Sequence, residues 1–372
     1  MLMKRILIFG MTENPGGVES FLMNYYRFMD RSRLQFDFLC NTLVPAACED
    51  EILSLGGEVF HITARSENMA RFAKELQAFF TDRAAMYDVI WINVSSLANI
   101  DYLIYAKKHG IRRRIIHSHN AANMDSVLRG VLHRINRLRI GETATDFWAC
   151  SEEAADWFYK GKPRKRARII HNAIDPEKYA FCAEKRRRIR ESLGWSGKFL
   201  IGNTGRLHFQ KNQRFMLELM KMLIKRNRDF RMVLVGDGED RNSLQAFIRA
   251  NGLQDYVRLA GVQSDIQAWL SAFDLFLFPS LFEGASVSLI EAQANGIPIL
   301  ASDTAVIPEV HINDNLHVLS LRTKAEDWAG KIRRLAQTGE GRLSQETAAL
   351  NIERSGYDIH REAEKLFREI MK

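Results

Sequence analysis

Cysteine is scarce in this chain. The four present, Cys40, Cys48, Cys150 and Cys182, are scattered and form no C-x-x-C pair. That spacing supports neither a zinc module nor a disulfide framework, so a reducing cytoplasm is the expected compartment. Proline is rare, at 7 of 372 residues, and neither a low-complexity tract nor a fixed repeat is visible, which sets aside linker and solenoid architectures. Long apolar runs are missing as well. The early run Ile6 to Gly10 follows Lys4 and Arg5, but it is too short for a signal-peptide core and runs into Glu13, Asn14 and Pro15. It reads as a buried first strand. The G-x-G-x-x-G turn of nicotinamide-dependent dehydrogenases is absent too, because Gly10 is followed by Met-Thr-Glu-Asn-Pro-Gly-Gly.

What is present points to a soluble enzyme with an anionic ligand. Hydrophobic residues make up 46% and charged residues 26%, an ordinary globular balance. The length exceeds what one core usually supports, so two domains of roughly 180 residues each are expected. The net charge of +8 implies attraction to nucleotide diphosphates, lipid phosphates or nucleic acid.

Short apolar runs alternate with helical patterns in each half. The first half predicts strands at Arg5–Gly10, Gln35–Cys40, Glu58–Ile62, Asp88–Asn93, Arg114–His117, Asp146–Cys150 and Arg168–His171. Val18, Phe21, Leu22 and Tyr25 recur at helical spacing after Gly16 and Gly17. A basic stretch, Ala183 to Lys198, interrupts the pattern. It then restarts at Lys198–Asn203, Arg231–Val235, Tyr256–Ala260, Leu275–Phe278, Ile297–Ala301 and Leu316–Leu319. The expected organisation is therefore α/β: two doubly wound, Rossmann-like domains, 1–182 and 183–355, facing a central cleft. A terminal segment, 356–372, forms a helix that packs back across them, with Ile359, Ala363, Phe367 and Ile370 on its apolar side.

Two loops carry chemistry. After the strand ending at Asn203 come Gly205 and Arg206, then Lys211 and a helix start, so two cations, glycine-exposed amides and a helix dipole converge on a site suited to a diphosphate. After Phe278 comes Pro279-Ser280-Leu281-Phe282-Glu283-Gly284-Ala285-Ser286 and a helix carrying Glu291, about two turns in. Carboxylates beside a glycine-opened helix suit the paired hydroxyls of a sugar.

The second loop resembles the E-x7-E signature of glycosyltransferase family 4, retaining enzymes of GT-B architecture. Further matches are Gly16-Gly17-Val18-Glu19, Asn172-Ala173-Ile174-Asp175, Gly205-Arg206 with Lys211-Asn212, Val235-Gly236-Asp237-Gly238, Gly261-Val262 and Ile307-Pro308-Glu309-Val310. Ala173 departs from the glycine common in the family. The resemblance implies that Arg206 and Lys211 hold the diphosphate and Glu291 the ribose hydroxyls. Glu283 and the amides of Gly284, Ala285 and Ser286 then meet the transferred sugar, Val262 the base, and Gly16 and Gly17 the donor. It further implies a UDP-sugar donor, a lipid-linked saccharide acceptor in surface or capsular polysaccharide synthesis, and retention of configuration.

His117 or His119 resembles the family's donor-facing histidine, and His119 is the preferred assignment. The two alternate correctly for one face of a strand, but with no carboxylate nearby they make no metal site. No metal and no cofactor are expected. An epimerase on a related fold is the enzymatic alternative. The runs Arg112–Arg114, Lys162–Arg168 and Lys185–Arg190 suggest a nucleic-acid binder, but they lack interleaved aromatics, so a solvated or lipid-facing surface is the favoured reading, the latter meaning peripheral contact with the inner face of an anionic membrane.

Overall fold

The computed structural model describes residues 3–14, 16–120 and 127–372. It divides into two compact units: the chain up to Ala173 together with Ile359–Lys372, and Ile174–Asp358.

The first unit is a seven-stranded sheet of parallel pairs: β1 Lys4–Phe9, β2 Leu34–Cys40, β3 Val59–His61, β4 Val89–Val94, β5 Arg113–Ser118, β6 Asp146–Ala149 and β7 Arg168–Ile169. Their order is β3-β2-β1-β4-β5-β6-β7. Ile6, Leu7, Ile8, Ile90, Trp91 and Ile115 are fully buried, as strands covered on both faces require. The helix Gly17–Phe28 returns the chain from β1 to β2 and inserts Phe21, Leu22 and Tyr25 beneath the sheet.

The second unit is a six-stranded parallel sheet: β8 Phe199–Thr204, β9 Phe230–Val235, β10 Val257–Gly261, β11 Leu275–Phe278, β12 Ile299–Ser302 and β13 Leu316–Leu319. The order is β10-β9-β8-β11-β12-β13. All thirteen strands lie on segments whose apolar runs predicted them, with ends shifted by a few residues.

The division falls before Ile174 and not at 183. Asp175 caps the short helix Pro176–Tyr179, Asn295 Nδ2 donates to Tyr179 O at 2.7 Å, and the Cys182 amide donates to Ser271 Oγ at 3.0 Å. These contacts tie 174–182 to the second core. The terminal helix Ile359–Met371 belongs to the first core through Ile359, Ala363, Leu366 and Ile370. Phe367 packs half-buried against the same core, with its ring under the Arg33 guanidinium at 5.1 Å, and Leu366 is buried beside it.

The basic runs are largely absorbed internally. Lys185 pairs with Asp265, Arg186 and Arg190 share Asp274, and Arg113 pairs with Asp146. Arg164 bridges Glu152 and Asp156.

Candidate active site

In the second sheet the strand order reverses between β8 and β11, since β9 and β10 extend one way and β12 and β13 the other. Ligands of open parallel sheets bind beyond the carboxyl ends of the strands at such a point. The two chemically suggestive loops leave from these two strands.

The loops are stitched together by polar contacts. The Leu281 amide donates to Gln210 O at 2.8 Å, Gln210 Nε2 donates to Phe282 O at 2.9 Å, and Asn212 Nδ2 donates to Pro279 O at 3.1 Å. Asn212 turns the chain into the helix Gln213–Arg226 from a left-handed conformation at φ 56°. The neighbouring β9 loop is held against the β8 loop. A Cβ on Gly236 would sit 2.0 Å from Gly205 O, so no larger residue fits there.

Lys211 and Glu283 meet in this frame. Lys211 Nζ lies 2.7 Å from Glu283 Oε1, with side chains only 14% and 7% exposed, and it stands 4.9 Å above the Phe278 ring. The contact is an ion pair without the alignment of a hydrogen bond. Gln210 Nε2 reaches the other carboxylate oxygen at 3.4 Å. Arg206 does not join this pair. It is 60% exposed and bonds Glu239 at 2.6 Å, so the two expected clamp cations face different carboxylates.

Downstream, Gly284 and Ala285 lead into the helix Val287–Ala294, whose N-cap Ser286 makes no side-chain hydrogen bond to the first turn. Its hydroxyl faces Ser288 Oγ at 3.2 Å. Because the helix begins at Val287, Glu291 lies about one turn in, not two. Glu291 is half-buried, and lost hydration pushes its carboxyl up to about 7 against a hydrogen bond from Tyr179 and the charges of Lys178 and Lys211. Val262, just past β10, is largely exposed.

The first sheet reverses between β1 and β4, and the expected residues of that unit gather there. Gly10, at φ +130°, ends β1 so close to β4 that a Cβ would lie 2.4 Å from Asn93 O. Gly16 caps the helix that Gly17 begins. In its first turn, buried Glu19 accepts from Thr12 Oγ1 at 2.7 Å, and burial raises its carboxyl. His119 Nε2 lies 2.9 Å from Asn93 Oδ1, which can only accept, so that nitrogen carries the proton and Nδ1 is left as an acceptor. Burial holds this imidazole down to about 3. His117 is fully buried, stacked on Trp91 with centroids 5.9 Å apart and packed edge-on to Phe21 and Trp148. It is a core residue, whereas His119 keeps partial access to solvent.

Sequence reasoning missed Asn93, Gln210 and Tyr179. Each acts on a site residue from a different segment, and a partner brought by tertiary folding leaves no local signal. The identity of Gln210 inside the basic loop was the one available hint.

These features agree with the comparisons. The family described as Glycosyltransferase Family 4 matches residues 15–178, and Glycosyl transferases group 1 matches residues 185–351. The putative glycosyltransferase EpsF of Bacillus subtilis is 31% identical over 370 residues, covering 95% of this chain and 93% of that protein. A UDP-Gal:alpha-D-GlcNAc-diphosphoundecaprenol alpha-1,3-galactosyltransferase of Escherichia coli is 35% identical over 139 residues, 36% of each chain. HepE of Anabaena, solved in complex with UDP-glucose, superposes with a TM-score of 0.78 at 19% identity over 99% of both chains, which speaks for the fold. Two Rossmann-like sheets with these loops at their switch points make up the GT-B architecture, and the chain belongs to glycosyltransferase family 4.

Proposed function

We propose that this glycosyltransferase moves a hexose from a UDP-sugar to a hydroxyl of a lipid-linked saccharide during surface or capsular polysaccharide synthesis, with retention of configuration. The observation that carries the donor assignment is the shielded Lys211–Glu283 pair beside the start of the helix Val287–Ala294, at the switch point of the second sheet. Lys211, Arg206 and the Gly205 turn hold the diphosphate; Glu283 and the Gly284, Ala285 and Ser286 amides hold the sugar; Glu291 holds the ribose, and Val262 lies by the base. Gly16, Gly17 and His119 serve as donor contacts contributed by the first unit, His119 in its neutral form. The names of the relatives support the choice: one uses UDP-Gal on a diphosphoundecaprenol-linked sugar, and an amylovoran biosynthesis glycosyltransferase of Erwinia amylovora is 28% identical over 185 residues, 48% of this chain and 44% of that protein.

As the anomeric carbon–oxygen bond breaks, its electron pair leaves with the nucleotide diphosphate. A fixed ammonium and oriented amides stabilise that growing charge more than they stabilise bound donor. Glu283 and Glu291 bind hydroxyls, and neither is assigned as a covalent nucleophile. A panel of nucleotide sugars screened by thermal stabilisation tests the reading. UDP-sugars should raise the melting temperature most; stabilisation by none of the panel, or release of nucleotide diphosphate that no saccharide acceptor increases, would refute it.

Two smaller predictions arise here. Arg206 must leave Glu239 to reach a diphosphate, and an exposed pair of this kind contributes up to about 1 kcal/mol. Glu239→Gln should therefore tighten donor binding by no more than about fivefold in calorimetry; weaker binding would show that Glu239 itself contacts donor. Catalysis is also expected to need no divalent ion. Among the described residues no group of three His, Cys, Asp or Glu could hold one. Turnover should survive exhaustive chelation, and loss restored by magnesium or manganese would contradict this.

The acceptor reading places the enzyme at the inner face of an anionic membrane as a peripheral protein. Among the described residues no helix is long and apolar enough to cross a bilayer.

A further inference from the structure

The helix Val127–Thr143 of the first unit is built inside out. Its inner face sets one apolar residue, the fully buried Ile140, among polar ones: the Leu97 amide donates to His133 Nδ1 at 3.1 Å, Asn136 Nδ2 donates to Leu97 O at 2.7 Å, and Arg137 donates to Tyr159 O at 2.9 Å. Its outer face is apolar. Val127, Leu128, Val131, Ile135 and Leu138 are exposed, from 45% at Val131 to 85% at Val127. At 3.6 residues per turn these five fall within an arc of about 100°. An ordinary surface helix turns such a stripe toward its own core and its polar residues toward water. Here the protein anchors the polar side and presents the stripe.

The charge around the stripe selects its partner. The helix carries four arginines against a single glutamate, Glu142. Exposed Arg134 and Arg139 project about 20° beyond the two edges of the apolar arc. The neighbouring helix Gly161–Lys165 adds exposed Lys162 and Lys165. Two copies meeting through this face would set arginine against arginine, whereas an anionic bilayer offers an apolar layer flanked by phosphates. We propose that the helix Val127–Thr143 is an interfacial anchor that lies in the headgroup layer of an anionic membrane, its five apolar side chains turned to the acyl boundary. The inference rests on the reading of the acceptor as membrane-borne and names the surface that docks.

The test is flotation of the full chain with vesicles of phosphatidylcholine alone and of phosphatidylcholine with phosphatidylglycerol at about three to one, at low and high salt. The parent should float with the mixed vesicles at low salt and about tenfold less with neutral ones. Leu128→Glu/Leu138→Glu should lose about tenfold or more of the mixed-vesicle binding, while its melting temperature and its stabilisation by UDP stay those of the parent. Arg134→Gln/Arg139→Gln should fall toward the neutral-vesicle level, and Arg187→Glu, on the second unit, should change nothing. A parent that never floats refutes membrane contact and the anchor together. A floating parent with an equally floating Leu128→Glu/Leu138→Glu variant refutes the anchor alone. A lipid-free parent dimer that the same variant converts to monomer would overturn the proposal by giving the stripe to a second copy.

Discussion

Lys211→Ala should lower kcat at saturating donor by roughly thirty- to a thousandfold, the effect of removing about 2 to 4 kcal/mol of preorganised charge from a leaving group. Arg206→Ala should cost less, because an exposed side chain already shared with Glu239 is neither fixed nor desolvated before donor arrives. Lys211→Ala carries a second cost, in stability. Glu283, with its side chain 7% exposed, would lose the ammonium 2.7 Å away, and the cation would vanish from above Phe278. Leaving a shielded carboxylate with only Gln210 should cost about 1 to 3 kcal/mol and lower the melting temperature by several degrees. The double variant Lys211→Ala/Glu283→Gln separates the two effects: stability should return while kcat stays low. Near-parent kcat in Lys211→Ala at saturating donor would mean that this cation does not act on the leaving group.

Glu291 should make both stability and donor binding depend on pH around neutrality. Its folded carboxyl lies at about 7 against an ordinary 4.5, chiefly because the charged form has lost hydration. A group raised in this way binds its proton more tightly when folded. Its contribution is therefore fully present below about pH 4.5 and is lost as pH rises through 7. The span corresponds to at most about 3 kcal/mol, and residual access to water reduces it. Denaturant titrations should show the parent weakening between pH 5 and 8 and Glu291→Gln nearly flat across that interval. Donor binding should run the other way, because an ionised carboxylate accepts two ribose hydroxyls and a carboxylic acid only partly can. Glu291→Ala should raise the donor KM about tenfold or more with kcat little changed, since a ribose contact binds ground and transition states alike. A fall in kcat with KM unchanged would move Glu291 from the ribose to the reacting centre.

Much of the site was legible because its chemistry is local. Gly205, Lys211, Glu283 and Gly284 lie on loops that leave strands and Glu291 on the helix that follows, and a strand followed by a glycine turn and a helix start defines where backbone amides are exposed. The choice between His117 and His119 was not legible: alternation puts both on one side of the extended chain, Phe21 packs edge-on to each, and the packing of Trp91 and Trp148 around His117 separates them. The same holds for Arg206 and Lys211. Five positions apart, they look equivalent until the fold sets Glu239 beside one and Glu283 beside the other.

The inside-out helix shows the limit from the opposite direction. Val127, Val131, Ile135 and Leu138 repeat at helical spacing, a pattern that read alone says buried face, yet His133, Asn136 and Arg137 take the inner side. Periodicity reports that a helix has two unlike faces; it cannot say which one the rest of the chain will cover.

The sequence by itself therefore determined the two-sheet α/β plan, the order of the strands along the chain and the loops that bear charge, because backbone geometry and burial of apolar runs act over a few residues. Tertiary structure alone decided that the division falls before Ile174, that the last helix completes the first core, which cation is shielded, and why Glu291 holds its proton near neutrality. Those properties depend on desolvation and on partners far along the chain, as with Glu283 beside Lys211 and Ile370 O accepting from Lys4, and no local pattern encodes the distance between such groups.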